Sequence, residues 1–262
     1  MPADERFDPP IPAATVVILR DEPRFETLMI ERHAESAFAG GALVFPGGRI
    51  DPNDRNPAWT DHAEALDPDI GPAQVAAIRE AFEESGVLIA RGPKGRMLAG
   101  ADAARLGPWR KRVEHDDGRF LELVRTENLS LACDRLVLFA HWIPPPGLHR
   151  RFDTMFFATL MPDGQDARAD GDEATRVLWT TPQEAMTARA RGECKIIFPT
   201  ARNLDLLGES RSSRDVFESA KARRIEPVTP TVELRGGRKF LCIPDGLGYP
   251  VTAEELDLTI RD

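Results

Sequence analysis

Cysteine is scarce in this chain of 262 residues: Cys133, Cys194 and Cys242 stand far apart. An odd, sparse count at no metal spacing excludes a disulfide framework and fits a reducing cytosol. The five histidines form no ligand spacing, which speaks against a zinc site. No apolar run approaches the roughly 20 residues of a membrane span. The opening "MPADERFDPP" lacks the basic-then-apolar order of a secretory leader, and the closing "LTIRD" is not a peroxisomal address. Positive charge is in deficit, with 34 Lys and Arg against 43 Asp and Glu and a net charge of −9. Such a chain suits neither a nucleic-acid backbone nor an anionic membrane, except through a local basic pocket. These absences predict a cytoplasmic protein with neither nucleic acid nor membrane as its partner. A homodimer is compatible with them.

What is present is ordinary globular material, 42% hydrophobic and 29% charged. The length suits one large, decorated domain over residues 1–262. "AATVVILR" and "FETLMIER" read as a hairpin around "DEPR". "ALVFPGG" reads as a short strand ending in a glycine turn, and the polar stretch 51–71 as a loop. "VLIA" reads as a brief strand, and Ala101 to Asn128 as helical with a break at "HDDG". Trp109, Val113, Phe120, Leu121 and Val124 are its inward candidates. Strands follow at "DRLVLFAHWI", "DTMFFATLM" and "ATRVLWT". Helices follow at "TPQEAMTARAR", "PTARNLDLLGES" and "SRDVFESAKARR", then a hairpin over Gly236-Gly237. Helices set between strands indicate an α/β layered fold.

One stretch stands out. "REAFEESGV", Arg79 to Val87, crowds Glu80, Glu83 and Glu84 beside one arginine. Pro72 and Gly86 punctuate a helix there, and Val75, Ile78 and Phe82 give it one buried face. Glu80 and Glu84 share a side of it, with Glu83 close to both. On a solvated face each like-charge pair costs roughly 0.2–0.5 kcal/mol. Their place near the helix C-terminus adds roughly 0.3–1 kcal/mol. Costs that small are compatible with a plain acidic face. The other reading is a hard divalent cation, which takes oxygen ligands and offsets the repulsion.

The context favours the cation. Gly47-Gly48 upstream, Asp54 six residues beyond Gly48, and Arg79, Glu80, Glu83, Glu84 and Gly86 together resemble the Nudix box. Ala81 and Val87 occupy its apolar positions. Two departures are visible: Asp54 stands where the family usually has Glu, and 24 residues separate Asp54 from Arg79, more than the usual spacing. The excess is an insertion of about 55–71. "RFDTMFFATLMP" and "DEATRVLWTTPQEAM" look like later Nudix elements. The general resemblance covers about 13–207, with a C-terminal extension over about 208–262. "RHAESAFAGGALVFPGGRIDPND" is similar to the coenzyme A and acyl-CoA diphosphatase branch.

The resemblance implies an α/β/α sandwich with a mixed sheet, carrying a helical insertion and the C-terminal extension. It implies a hydrolase of nucleotide diphosphates that uses Mg²⁺ or Mn²⁺. Glu80, Glu83, Glu84 and a carbonyl near Gly48 would hold the metal, Arg79 would hold the carboxylates, and Asp54 would serve the loop. Glu173, just before a late strand, is a candidate catalytic base beside Glu80, Glu83 and Arg79; the other reading of it is a surface acid. Arg32-His33 and His149-Arg150-Arg151 are basic clusters from which Arg32, Arg150 and Arg151 are candidate phosphate binders, or solvated charges. Trp109 and Phe120 either line a cleft or pack the core. The branch implies coenzyme A or acyl-CoA, cut to 3′,5′-ADP and (acyl-)phosphopantetheine. The alternatives are ADP-ribose, a nucleotide sugar or a dinucleotide, or a nucleotide-sensing module without turnover. A mere binder need not keep all three glutamates.

Overall fold

The computed structural model describes residues 9–35, 39–116, 118–145 and 151–256. Strand β1 (Ile11–Arg20) is its centre. Ala14, Val16 and Ile18 face one layer and Val17 and Leu19 the other, and all five are buried. Burial on both faces explains a nearly unbroken apolar run. β2 (Glu26–Arg32) returns antiparallel, with Leu19 opposite Thr27 and Arg20 opposite Glu26. Farther from the turn the hairpin opens. β3 (Leu43–Val44) pairs with β2 inside the fork, and β4 (Gly47–Arg49) pairs with β1. The Gly47-Gly48 segment is therefore strand, not the turn that its glycines suggest.

The stretch 51–71 is ordered, contrary to its reading as a loop. It holds two tight 3₁₀ turns, Pro52–Arg55 and Pro57–Asp61, and the short β5 (Ala63–Glu64). Helix α1 (Gly71–Ser85) follows and ends where Gly86 turns left-handed at φ 74°. Only Gly tolerates that cap at little cost. Val75, Ile78 and Phe82 are buried as expected, but the expectation of one buried face fails: every residue of α1 except Pro72 and Glu83 is buried. The cause is a covering layer from the next 50 or so residues. β6 (Ala90–Arg91) takes only the last residue of "VLIA". Then come α2 (Gly100–Ala104), α3 (Arg110–His115) and α4 (Gly118–Thr126), the last two broken near "HDDG". β7 (Ser130–Ala132) lies between β5 and β6 in a small sheet.

β8 (Val137–Trp142), β9 (Phe152–Leu160) and β10 (Ala174–Thr180) complete the main sheet. β9 runs parallel to β1, while β10 joins β2 and β8 joins β9, both antiparallel. α5 (Pro182–Ala190), α6 (Phe198–Gly208) and α7 (Ser213–Ala222) cover the second face. β11 (Pro227–Val228) closes the edge beside β8, giving the order β10-β2-β1-β9-β8-β11. β12 (Thr231–Arg235) and β13 (Arg238–Cys242) form the expected hairpin, and β14 (Ala253–Glu255) pairs with β13. The α/β/α sandwich and mixed sheet are as the resemblance implies.

Trp59 locks the inserted stretch into the core. It is 2% exposed, its Nε1 donates to the Asn53 carbonyl at 2.8 Å, and its ring centroid lies 5.5 Å from that of Phe120. Phe120 is thus core, not cleft lining. Trp109 is half-buried, stacked 4.0 Å from the Arg112 guanidinium. Trp59→Ala should cost about 3–5 kcal/mol in urea unfolding, as for other buried aromatics. A loss under about 1 kcal/mol would mean that the insertion is loosely attached.

Candidate active site

The site is built where β4 passes under α1. Ala14 is opposite Gly48 and Thr15 opposite Gly47. A Cβ on Gly47 would meet Thr15 Oγ1 at 2.5 Å, and one on Gly48 would meet the Glu80 carboxylate carbon at 2.6 Å. Gly47 has no room for a side chain against the β1 backbone, and a side chain at Gly48 would have to displace the Glu80 carboxylate.

Arg79 organises the interior. Its Nε and Nη2 donate to Asp54 Oδ1 and Oδ2 at 3.0 and 2.9 Å, a two-pronged pair. Nη1 donates to Glu80 Oε1 at 2.9 Å and Glu83 Oε1 at 3.1 Å, and Nη2 also donates to the Arg49 carbonyl at 2.8 Å. Asp54 is buried and accepts the Asp51 N–H at 2.8 Å, so it serves the loop and anchors Arg79 together. Glu84 is held separately: its Oε2 accepts the Gly47 N–H at 2.8 Å, and Oε1 lies 3.4 Å from Arg32 Nη1. Arg79 thus holds two of the three glutamates, not all three.

Burial decides the electrostatics. Glu80 is 7% exposed and Glu84 2% exposed, which removes the solvated-face reading and the small costs that went with it. Desolvation pushes Glu80 up to about 7, against the opposing charge and hydrogen bond of Arg79. Desolvation and the Glu80 charge push Glu83 up to about 8. Glu84 is raised well above the ordinary carboxylate range by burial and by Glu80, despite Arg32 and the Gly47 N–H. Burial lowers the Arg79 pKa, but Glu80 and Asp54 more than reverse this, so the guanidinium stays charged. An all-oxygen donor set with more buried negative charge than its two arginines offset fits a hard divalent cation.

The remaining candidates gather at one end of the sheet, where β1 begins. Arg32 ends β2, Arg151 precedes β9 and Glu173 precedes β10. Glu173 is exposed, and its charge acts on both Glu80 and Glu84. Its carbonyl accepts the His33 N–H at 2.9 Å. Arg32 is turned onto Glu84, and its Nε is buried without a partner among the described residues. Arg151 Nε donates to the Pro144 carbonyl at 3.0 Å. His149 and Arg150 lie outside the described residues. Sequence reasoning missed Arg110, whose guanidinium caps α1; nothing local marks it.

The raised carboxylates set a pH dependence. Between about 4.5 and about 8 the folded protein holds protons on Glu80 and Glu83 that the unfolded chain releases. Their contribution to stability is therefore full below the unfolded value and lost as pH rises through the folded one. The chelator-treated protein should melt at progressively lower temperature from pH 5.5 to 8, and Glu84→Gln should flatten that slope. A melting temperature that is flat or rising over this range would contradict the burial of these charges.

The family model of the NUDT19 Nudix domain matches residues 62–206, a span that contains Arg79, Glu80, Glu83, Glu84 and Gly86. Acyl-coenzyme A diphosphatase NUDT19 of Homo sapiens is 26% identical over 282 residues, covering 91% of this chain and 74% of that protein. The Gallus gallus protein of that name is 27% identical over 298 residues, covering 91% and 79%. A NUDIX hydrolase from Alicyclobacillus acidocaldarius superposes with a TM-score of 0.71 at 25% identity, over 81% of this chain and 97% of that one. The chain belongs to the Nudix hydrolases, in the NUDT19 Nudix domain family.

Proposed function

We propose that this chain hydrolyses the diphosphate of coenzyme A or an acyl-CoA, releasing 3′,5′-ADP and (acyl-)phosphopantetheine. The observation that carries the reaction class is the buried Glu80–Glu84 pair set against Gly48. The relatives' name, over 91% of this chain, supports the substrate.

Nudix hydrolases use divalent metal ions, and here Mg²⁺ or Mn²⁺ is the fitting choice for oxygen ligands. Glu80, Glu84, Glu83 and the Gly48 carbonyl would hold it. Bound there, the ion would offset phosphate charge and make a water more acidic. The protein's own groups do the rest. Arg79 aims Glu80 and Glu83 and favours their charged forms against the cost of burial. Glu173 accepts a proton from the attacking water. The water oxygen bonds to one phosphorus, the bridging P–O bond breaks, and the bridging oxygen leaves on the other phosphate. Arg32 and Arg151 supply basic side chains at the same strand ends, and Arg150 is the further candidate from the sequence.

Glu84→Gln and Gly48→Ala should each lower turnover on the order of 10²-fold while the fold persists. The first removes a charge; the second keeps every charge but displaces the Glu80 carboxylate. Turnover at saturating Mg²⁺, paired with a thermal melt, measures both effects. Near-parental rates in both would refute the site.

The substrate is tested separately. The ratio of kcat/KM for coenzyme A to that for 3′-dephospho-coenzyme A should exceed one. It should fall about ten- to a hundredfold in at least one of Arg32→Ala, Arg150→Ala and Arg151→Ala, the loss of one charge-assisted phosphate contact. Equal use of both substrates by the parent would transfer the assignment to ADP-ribose, nucleotide sugars or dinucleotides.

A further inference from the structure

The C-terminus of α1 is the negative end of its dipole, and it adds to the charge of three glutamates. Two groups close it. The Arg168 backbone N–H donates to the Ser85 carbonyl at 2.8 Å. Arg110, at the start of α3, donates to the Glu83 carbonyl through Nη2 at 2.8 Å and Nε at 3.3 Å. Gly86 makes room for this guanidinium: a Cβ there would lie 3.2 Å from Arg110 Nη1.

Helix α3 lies beside the loop that precedes β10, and the charge of that loop reaches the Arg110 guanidinium. Burial lowers its pKa, and the charges of Asp170 and Glu114 act against the lowering. An exposed contact, Lys111 to Asp172 at 3.5 Å, runs alongside. Asp170 gathers the loop's own backbone. Its Oδ1 accepts the N–H of Asp172 at 2.5 Å and of Glu173 at 2.6 Å, and Oδ2 accepts that of Ala174 at 3.1 Å. From the other side, the His33 N–H holds the Glu173 carbonyl. Both backbone groups of Glu173 are therefore fixed, while its exposed side chain has no hydrogen-bond partner among the described residues. Glu114, Asp170 and Asp172 also bring carboxylate oxygens within 4.8 Å of one another. Arg110 and Lys111 supply counter-charge there, and Asp170 is spent on N–H groups, so the cluster belongs to this clamp.

We propose that Arg110 and Asp170 are positioning residues that register the Glu173 loop on the end of α1 and so fix the backbone from which the Glu173 carboxylate approaches the site. The inference rests on the reading of Glu173 as the proton acceptor. It gives helix α3 a role in the reaction although α3 contributes no group to the carboxylate site.

The test uses the full chain and four variants: Asp170→Ala, Arg110→Met, Arg110→Lys and Glu173→Gln. Two readouts are taken: turnover of coenzyme A with Mg²⁺, and backbone amide exchange at residues 172–174 without metal. Asp170→Ala and Arg110→Met should lower kcat about ten- to a hundredfold with little change in KM, the effect of a misplaced group. Amide exchange in the loop should quicken about tenfold, the protection of one hydrogen bond. Arg110→Lys, which keeps the charge opposite Asp170, should recover much of the loss. If both disruptive variants keep parental kcat and parental exchange, the inference is overturned. If Glu173→Gln alone loses activity while they do not, the base stands and the clamp falls. If Glu173→Gln turns over at the parental rate, the base reading falls, and amide exchange alone decides the clamp.

Discussion

Arg79 is almost wholly buried, and acceptors converge on it from three directions: Asp54, the Glu80 and Glu83 carboxylates, and the Arg49 carbonyl. A buried cation left unpaired is strongly unfavourable, so each of these partners has to be in place together. That requirement links three parts of the chain. β4 must pass close enough for its carbonyl to reach, the turn after it must present Asp54, and α1 must carry its glutamates on the same side. The remaining negative charge is more than Arg79 and Arg32 offset, an excess that suits the proposed dication.

The covering layer over α1 follows from the same constraint. Exposed to water, these carboxylates would repel one another only weakly. Enclosed between β4, the Pro52–Arg55 turn and α3, they are pushed toward holding protons. The layer thus raises the free energy of the ionised, metal-free site, so that protons and a cation compete to neutralise it. Stability and function oppose each other at this helix, as they do at many sites that store unfavourable charge.

Much of this was legible from residues near one another in the chain. Pro72 and Gly86 mark the helix limits, and apolar runs on either side of "DEPR" mark the first hairpin. The box itself survived an insertion because Asp54 and Arg79, 25 residues apart, still meet. What escaped was long-range. Nothing around Gly47-Gly48 distinguishes a turn from a strand that must pass flush against a carboxylate. The stretch 51–71 is polar, and only its contact with Phe120 shows why Trp59 is buried. The apolar residues of α1 give one buried face, and nothing in the sequence marks Arg79, Glu80 and Glu84 as buried too.

Asp54 shows how a departure from the family pattern can be absorbed. An aspartate reaches one methylene less far than the glutamate usual at this place, yet both of its oxygens meet Arg79 at 3.0 and 2.9 Å. The difference is met by the backbone. The Pro52–Arg55 turn brings residue 54 against the helix, and the Asp51 N–H pins the same carboxylate from outside. The turn is in turn fixed by Trp59, whose indole N–H holds the Asn53 carbonyl. The inserted stretch therefore does more than lengthen the loop: it begins with the residues that set the reach of Asp54. The shortened acid and the added stretch compensate each other around one guanidinium.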